Sequence, residues 1–432
     1  MVDIEDFKYV LTLWKNFKIP DLINRDININ LDTNKIITIA GVRRSGKTSI
    51  MMNLINKLIK NKINSENIIY INFENDRFIN INATDMDKML IAYDELFNYD
   101  KNNDIYIFLD EIQNVKNWEK WIRKIYDFKE YKIIISGSSS KLLSQEISTA
   151  LSGRNINYII YPLSFKEFLK IKKINFDKSI YYSTDKGIVL KFLDEFMEYG
   201  SFPEIAIESD VNIKLNILSS YFDSIFYKDI VERYNIREIS SMKLFLKLVL
   251  MNYSGYFSSV KLYNQFNSLG YKISRTTILN FIEYVKSTFA VYSVEKYDKS
   301  YAKRISSSLK LYSVDTGISN LFKGIDKGRA LENIVYMELL RNNRHDDIYY
   351  IPLNSGEIDF FIDGKTKEII NVSYDISDNE TDKRETKPLI EACKMFNLNN
   401  GKIVTYDTYR EIEMGNIKIT YMPFYMWALN IY

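Results

Sequence analysis

Residues 36–48 read Ile36-Ile37-Thr38-Ile39-Ala40-Gly41-Val42-Arg43-Arg44-Ser45-Gly46-Lys47-Thr48, an apolar run that breaks into a glycine-bounded loop. Apolar residues then recur at Ile50, Met51, Leu54, Ile55, Leu58 and Ile59, the spacing of a helix with one buried face. A strand, a loop of the form Gly-x-x-x-x-Gly-Lys-Thr and a helix, in that order, are the context in which a P-loop works. Gly41 and Gly46 leave room for backbone N–H groups to converge on a phosphate, and the helix N-terminus adds its positive dipole end. Lys47 is placed to reach the β- and γ-phosphates of ATP, and the Thr48 hydroxyl to ligate Mg²⁺. The segment from Gly41 through Ser49 is therefore the expected nucleotide cradle.

A P-loop sheet needs a second strand ending in a carboxylate, and Ile105-Tyr106-Ile107-Phe108-Leu109 runs into Asp110-Glu111. Asp110 stands where a carboxylate holds the Mg²⁺ shell, and Glu111 where one can take the proton of an attacking water. Further strand-like runs at Ile68–Phe73, Lys132–Ser136 and Ile156–Tyr161, separated by helical stretches, indicate a parallel sheet covered on both faces. The Ile68 run lies between the two motif strands along the chain. A glutamate directly after the Mg²⁺ aspartate points to the P-loop ATPases that carry an extra strand between those two. Ser138, in Gly137-Ser138-Ser139-Ser140, has two readings: a sensor touching the γ-phosphate or attacking water, or plain turn chemistry. Arg154 also has two. It is either a finger reaching a neighbouring subunit's γ-phosphate in a homo-oligomer, or a surface arginine paired with a carboxylate.

These residues resemble a prokaryotic family of AAA-domain ATP-binding proteins with a C-terminal region of unknown function. The resemblance rests on the Gly41–Thr48 loop, Leu109-Asp110-Glu111-Ile112-Gln113, Ser136-Gly137-Ser138-Ser139-Ser140 and Leu151-Ser152-Gly153-Arg154. It continues through Pro162-Leu163-Ser164-Phe165-Lys166-Glu167-Phe168-Leu169 and Tyr199-Gly200-Ser201-Phe202-Pro203-Glu204. It implies an AAA-type ATPase core, a helical lid, a winged helix and a nuclease-like C-terminal fold, and no established substrate.

From Lys166 to about Ile239 the pattern is helical, broken by a turn at Gly200 and Pro203, and is expected to form the lid region. Helical segments then fall near Met242–Asn252 and Val260–Asn267. A third follows Ser274-Arg275-Thr276-Thr277, with Ile278, Phe281, Ile282, Val285 and Phe289 on one face. Strand-like runs at Val291–Lys296 and Leu309–Val314 complete a winged-helix order, a relative of helix-turn-helix. If it binds double-stranded DNA, Arg275, Thr276 and Thr277 would approach the major groove. Lys296, Lys299, Lys303, Arg304 and Lys310, with Tyr297 and Tyr301 interleaved, would meet phosphates. Winged helices also bind proteins, so a nucleotide-dependent signalling or scaffold switch without DNA stands beside this reading.

Gly328-Arg329-Ala330-Leu331-Glu332 opens a helix with Leu331, Ile334, Val335 and Leu339 on its apolar face, ahead of strand-like Ile348–Ile351, Glu357–Ile362 and Ile369–Ser373. Glu332 followed by Glu357-Ile358-Asp359 resembles the restriction-endonuclease-like core, which holds metal with an Asp on one strand and Glu-x-Lys on the next. Here the matching position, twelve residues after Asp359, reads Asn371-Val372-Ser373. Asn lacks the anionic oxygen a hard Mg²⁺ prefers and Ser lacks the lysine ammonium, so no nuclease activity is expected.

Length and composition fit this division. A chain of 432 residues exceeds one ordinary core, and 46% hydrophobic with 26% charged residues is globular. With 58 Lys and Arg against 56 Asp and Glu, nothing global advertises nucleic acid or membrane. A single histidine, His345, argues against histidine-based zinc sites and Ser-His-Asp chemistry, and a single cysteine, Cys393, excludes an internal disulfide. No run approaches the roughly 20 apolar residues of a membrane span, and the expected location is cytoplasmic. The expected architecture is a multidomain α/β chain: a P-loop AAA-type core over 1–165, a helical lid over 166–239, a winged helix over 240–322 and a restriction-endonuclease-like domain over 323–432.

Overall fold

A computed structural model describes residues 2–143, 151, 153–177, 181–343 and 345–431. Ser152, within one of the motifs above, lies outside the described residues. The chain divides into two compact units, Met1–Tyr161 with Ser287–Phe289, and Pro162–Lys286 with Ala290–Tyr432.

The first unit carries α1 (Ile4–Lys15), β1 (Ile36–Ala40), α2 (Lys47–Lys60), β2 (Ile68–Asn72), α3 (Asp87–Leu96), β3 (Ile105–Asp110), α4 (Trp118–Phe128), β4 (Tyr131–Gly137) and β5 (Asn155–Ile159). Its five strands are all parallel, in the order β2-β3-β4-β1-β5. The continuous apolar runs follow from burial on both faces. Ile69, Ile71, Ile107, Leu109, Ile133 and Ile135 pack with α1, α3 and α4, while Ile37, Ile39, Ile68, Phe108 and Ile134 pack with α2. The strand seated between the two motif strands β1 and β3 is β4, and β2 lies at the edge. The extra strand expected between the motif strands is therefore present as β4, and the Ile68 run lies between the motifs only along the chain, because crossover helices free sheet order from chain order.

The second unit begins with helices α5 (Phe165–Ile171), α6 (Lys186–Tyr199), α7 (Pro203–Ile207) and α8 (Val211–Ser224), the last running on into a π-helical segment at Ile225–Glu232. Glu195 of α6 accepts hydrogen bonds from Lys172, just past α5, at 2.8 Å and from the buried Lys214 of α8 at 2.6 Å. The Tyr199–Glu204 motif has a structural cause. Gly200 has φ +82, and a Cβ there would meet Asp315 Oδ1 at 2.0 Å. The buried Asp315 carboxylate accepts the Ser201 N–H at 2.6 Å and the Ile318 N–H at 3.3 Å.

Next come α9 (Ile239–Met251), β6 (Gly255–Phe257), α10 (Ser259–Ser268), α11 (Arg275–Ser287), β7 (Val291–Lys296), α12 (Tyr301–Ser306), β8 (Leu309–Ser313), α13 (Thr316–Asn320) and α14 (Lys327–Asn342). Strands β9 (Ile348–Leu353), β10 (Gly356–Asp363) and β11 (Lys367–Ser373) lead to α15 (Asn379–Phe396), β12 (Asn400–Thr405), β13 (Arg410–Met414), β14 (Ile417–Pro423) and α16 (Phe424–Leu429). The three helices and hairpin expected over 240–322 are seen, with a short helix inside the hairpin and a third strand, β6, beside it. That hairpin does not stand alone. β7 pairs in parallel with β9, Glu295 opposite Tyr349 and Lys296 opposite Tyr350. One mixed sheet results, ordered β13-β14-β12-β11-β10-β9-β7-β8-β6, and it runs across residue 322. Its C-terminal strands bury Ile351, Ile358, Phe361, Ile369, Ile403 and Tyr421 against Leu389, Ala392 and Cys393 of α15. Among the described residues no helix is long and apolar enough to cross a membrane.

Candidate active site

The P-loop leaves the carboxyl end of β1, where parallel strands leave room for a ligand. Gly41 has positive φ, and a Cβ there would lie 2.2 Å from the Ile160 carbonyl oxygen. Its glycine is thus demanded by a close backbone crossing as well as by phosphate access. Arg44 and Gly46 also take left-handed conformations, and Gly46 hands the chain to α2 at Lys47. Val42 and Ser45 are buried, and the Ser45 hydroxyl has no hydrogen-bond partner among the described residues. Arg25, from the segment before β1, donates to the carbonyls of Ser45 and Tyr161, each at 2.9 Å, and so braces the loop. Arg43 is ion-paired with Glu74, Arg44 is exposed, and Ser49 sits half-buried in the first turn of α2.

Lys47, Thr48, Asp110 and Glu111 come together at this end of the sheet. The Lys47 ammonium donates to the carbonyls of Gly41 and Val42, each at 3.2 Å, and lies 3.4 Å from Glu111 Oε1. Thr48 Oγ1 donates to Asp110 Oδ2 at 2.6 Å. The buried Asp110 carboxylate also accepts the Tyr70 hydroxyl at 2.9 Å and the Ser136 hydroxyl. Burial, then the neighbouring Glu111 charge, pushes Asp110 above the usual carboxylate range, against the pull of the Ser136, Thr48 and Tyr70 hydroxyls. Burial pushes Glu111 up as well, but the Lys47 charge, aided by Gln113 and Arg43, outweighs it and leaves Glu111 below its ordinary value. Burial and Asp110 together hold Tyr70 protonated far above the ordinary phenol range.

Ser138 is buried and accepts a hydrogen bond from Gln113 Nε2 at 3.4 Å. Arg154 does not join its own chain's cluster. It precedes β5 beside the start of β1, where Ile36 N–H donates to its carbonyl, so the length of β1 separates it from the P-loop. Its guanidinium lies 3.7 Å from Asp127. Sequence reasoning missed Tyr70, Ser136, Gln113 and Arg25. The alternation of β2 aims Tyr70 to the same side as the P-loop helix, a signal that was present; the Arg25 contact is made by an irregular segment and had none.

An uncharacterized protein of Methanocaldococcus jannaschii is 40% identical over 420 residues, 95% of this chain and 91% of the relative. The chain belongs to that protein's family. An uncharacterized protein of Haemophilus influenzae matches at 32% identity over 90% of this chain and 94% of its own length. Within the chain, residues 33–169 match the AAA domain and residues 190–329 match a domain of unknown function, DUF8612. Among solved structures, the Aeropyrum pernix Orc1 protein in complex with DNA is 9% identical, with a TM-score of 0.29, covering 78% of this chain and 92% of that one. Likeness at that level fixes neither partner nor assembly.

In the second unit, Arg275 and Thr276 open α11 and are exposed, as are Lys299 and Lys303 of the hairpin connection. Arg304 is half-buried, donating to the Tyr349 hydroxyl at 2.8 Å. Two residues expected to face phosphates turn inward instead. Tyr297 packs its ring on Tyr349, Phe361 and Phe396. Lys310 is 4% exposed, and its ammonium contacts Glu332 at 2.9 Å, Glu357 at 2.7 Å and Asp359 at 3.0 Å. Strand alternation through Leu309-Lys310-Leu311 sets that direction, and partners as distant in sequence as Asp359 hid it.

The carboxylates Glu332, Glu357 and Asp359 line an open cavity of about 810 Å³ together with Arg329, Arg384 and Glu385. Asn371 faces Asp359 across the β10–β11 pair, accepting its N–H at 3.3 Å and donating to the carbonyls of Glu357 and Glu385, each at 3.2 Å. Asn371 also donates to Glu385 Oε2 at 3.3 Å, tying β11 to the β10 backbone and α15. Among the described residues no group of three or more His, Cys, Asp or Glu is arranged to hold a metal ion. One ammonium serves several carboxylates, so protons offset the remainder. Burial, then the Asp359 charge, raises Glu357 to about 8, and burial raises Glu332 to about 7 against the pull of Lys310.

Both carboxyls bind protons more tightly folded than unfolded, where glutamate titrates near 4.5. Their contribution is complete below that pH and is lost as pH rises through about 7 to 8. Thermal stability of the second unit should fall between pH 5 and pH 9, and Glu357→Gln should flatten that fall. Lys310→Met should destabilise, by less than the about 3–5 kcal/mol of a fully buried pair, because it leaves three half-buried carboxylates without their cation. Adding Glu357→Gln should recover part of the loss, measured by urea unfolding at pH 7.

Proposed function

We propose that the chain is a Mg²⁺-dependent ATPase. The observation that carries this reading is the convergence of Lys47, Thr48, Asp110 and Glu111 beside a P-loop whose Ser45 hydroxyl is buried without a partner among the described residues. The AAA-domain match over residues 33–169 supports it. The fit to Mg²⁺ rests on Thr48 Oγ1 and Asp110 Oδ2, two hard oxygens already 2.6 Å apart. The ion, when bound, would neutralise charge on the β- and γ-phosphates. The backbone N–H groups from Gly41 to Ser49 would cradle the phosphates, and Lys47 would bind their β- and γ-oxygens.

Glu111 is the general base. It takes the proton of a water whose oxygen attacks the γ-phosphorus, while the bond to the β–γ bridging oxygen breaks and ADP leaves. A phosphate that takes the Lys47 ammonium takes it from Glu111, so substrate binding frees the base. Ser138 stands near enough to Glu111, through Gln113, to sense the γ-phosphate or the water. Arg154 acts between subunits of a homo-oligomer, because its own P-loop lies at the other end of β1.

The second unit is the output. We infer that a winged helix over 240–322 contacts double-stranded DNA through Arg275, Thr276, Lys299, Lys303 and Arg304, switched by the nucleotide, and that the region over 323–432 has a restriction-endonuclease-like fold without nuclease activity. The observation that favours a protein partner instead is the commitment of Lys310, Tyr297 and β7 to the nine-stranded sheet, which takes a cation and an aromatic ring off the hairpin surface.

Lys47→Ala should abolish nucleotide binding in a fluorescent-ATP titration. Glu111→Gln should keep binding and slow turnover by about 10²- to 10⁴-fold; normal turnover in either variant sinks the assignment. Mixing Arg154→Ala chains with Glu111→Gln chains should restore turnover that neither has alone, and no restoration would leave Arg154 with its contacts to Asp127 and the Tyr126 ring. Duplex DNA affinity should fall steeply with salt, and replacing Lys299, Lys303 and Arg304 by Ala should lower that slope by roughly one unit for each phosphate no longer neutralised. An unchanged slope favours the protein-partner reading.

A further inference from the structure

Gln113 closes the Leu109–Gln113 motif, yet neither phosphate binding nor proton transfer uses it. It sits in the short turn Ile112–Asn114 that follows Glu111. Glu111 itself takes a left-handed backbone conformation, φ +53, which folds the turn back over the end of β3. The two hydrogens on Gln113 Nε2 then serve two acceptors, Glu111 Oε2 and Ser138 Oγ, the second at 3.4 Å. Reversing the amide would set its oxygen against the Glu111 carboxylate, so Glu111 fixes the orientation. The Gln113 oxygen accepts no hydrogen bond among the described residues. It lies flat on Gly137, where a Cβ would come within 2.2 Å of it. Most buried side-chain polar atoms in folded proteins find a partner. Here only the end facing Glu111 and Ser138 is used, and a glycine on the sensor strand clears the space for it.

We propose that Gln113 is a positioning residue for hydrolysis, an amide strut that sets the aim of Glu111 from the position of Ser138. The proposal rests on the ATPase reading above and deepens it: the base and the sensor act as one unit, joined by Gln113. Mispositioning a base of this kind removes part of its about 10²- to 10⁴-fold contribution.

The test compares wild type, Gln113→Leu, Gln113→Glu and Ser138→Ala in the full chain, each alone and in the Glu111→Gln background, with Gln113→Leu also combined with Ser138→Ala. Fluorescent-ATP affinity and thermal midpoint are read beside kcat and KM. Gln113→Glu keeps the shape and removes the donor, which guards against a folding failure of Gln113→Leu. The expected result is unchanged affinity, midpoint and KM with kcat about 10- to 100-fold lower, within the range a positioned base supplies. In the Glu111→Gln background the Gln113 substitutions should cost nothing further, and Gln113→Leu with Ser138→Ala should be no slower than the slower single variant. A wild-type kcat in both Gln113 variants overturns the proposal while leaving the ATPase reading intact. So does a full additional loss in the Glu111→Gln background, or strictly multiplicative losses in the double variant. Tight ATP binding without turnover in wild type would sink the ATPase reading and this proposal together.

Discussion

A carboxylate sealed inside the first unit governs everything around it. Asp110 ends β3 with no exposed surface, and a buried charge of that kind persists only when its oxygens are occupied. Thr48 comes from the first turn of α2, Tyr70 from β2 and Ser136 from β4, so three separate elements must be in register before the carboxylate is satisfied. The parallel pairing of β2, β3 and β4 supplies that register, and the P-loop fixes where α2 starts. The same hydroxyls that stabilise the sheet's end are therefore the ones that shape the site. Glu111, one residue on, escapes the sheet through its left-handed turn and finds Lys47.

Much of this was legible in the sequence because local chemistry dictated it. Gly41, Gly46, Lys47, Thr48, Asp110 and Glu111 sit in motifs whose backbone geometry and charge requirements are met within a few residues. β1 and β3 read correctly because burial on both faces makes them almost wholly apolar, while the edge strand β5 carries polar Asn155 and Asn157. Sheet order was legible only in part: the glutamate after Asp110 pointed to an extra strand between the motif strands, but nothing in the sequence shows that β4 takes that place and that Ile68–Asn72 lies at the edge. Arg25 was invisible for a related reason: it braces the loop from an irregular segment with no period to read.

The second unit hid more, because its defining contacts join residues far apart in the chain. Lys310 looked like one more cation in a lysine-rich hairpin, and only the strand pairing of β7 with β9 reveals that β8 faces Glu332, Glu357 and Asp359. Tyr297 looked like an aromatic interleaved among phosphate-facing lysines and instead packs, half-buried, against the aromatics Phe361 and Phe396 of the core. The Tyr199–Glu204 motif offered a resemblance without a cause until Asp315 was seen beneath Gly200.

Lys310 has a wider consequence. A pocket of carboxylates is usually an invitation to a divalent ion, and a protein that accepts it ties its architecture to the ion's supply. Here a side chain of the same polypeptide fills that electrostatic demand, delivered in fixed stoichiometry at synthesis and beyond the reach of chelators. The carboxylates of the second unit thus owe their shape to a lysine of their own chain, and a fall in the supply of divalent ions leaves that ion pair standing.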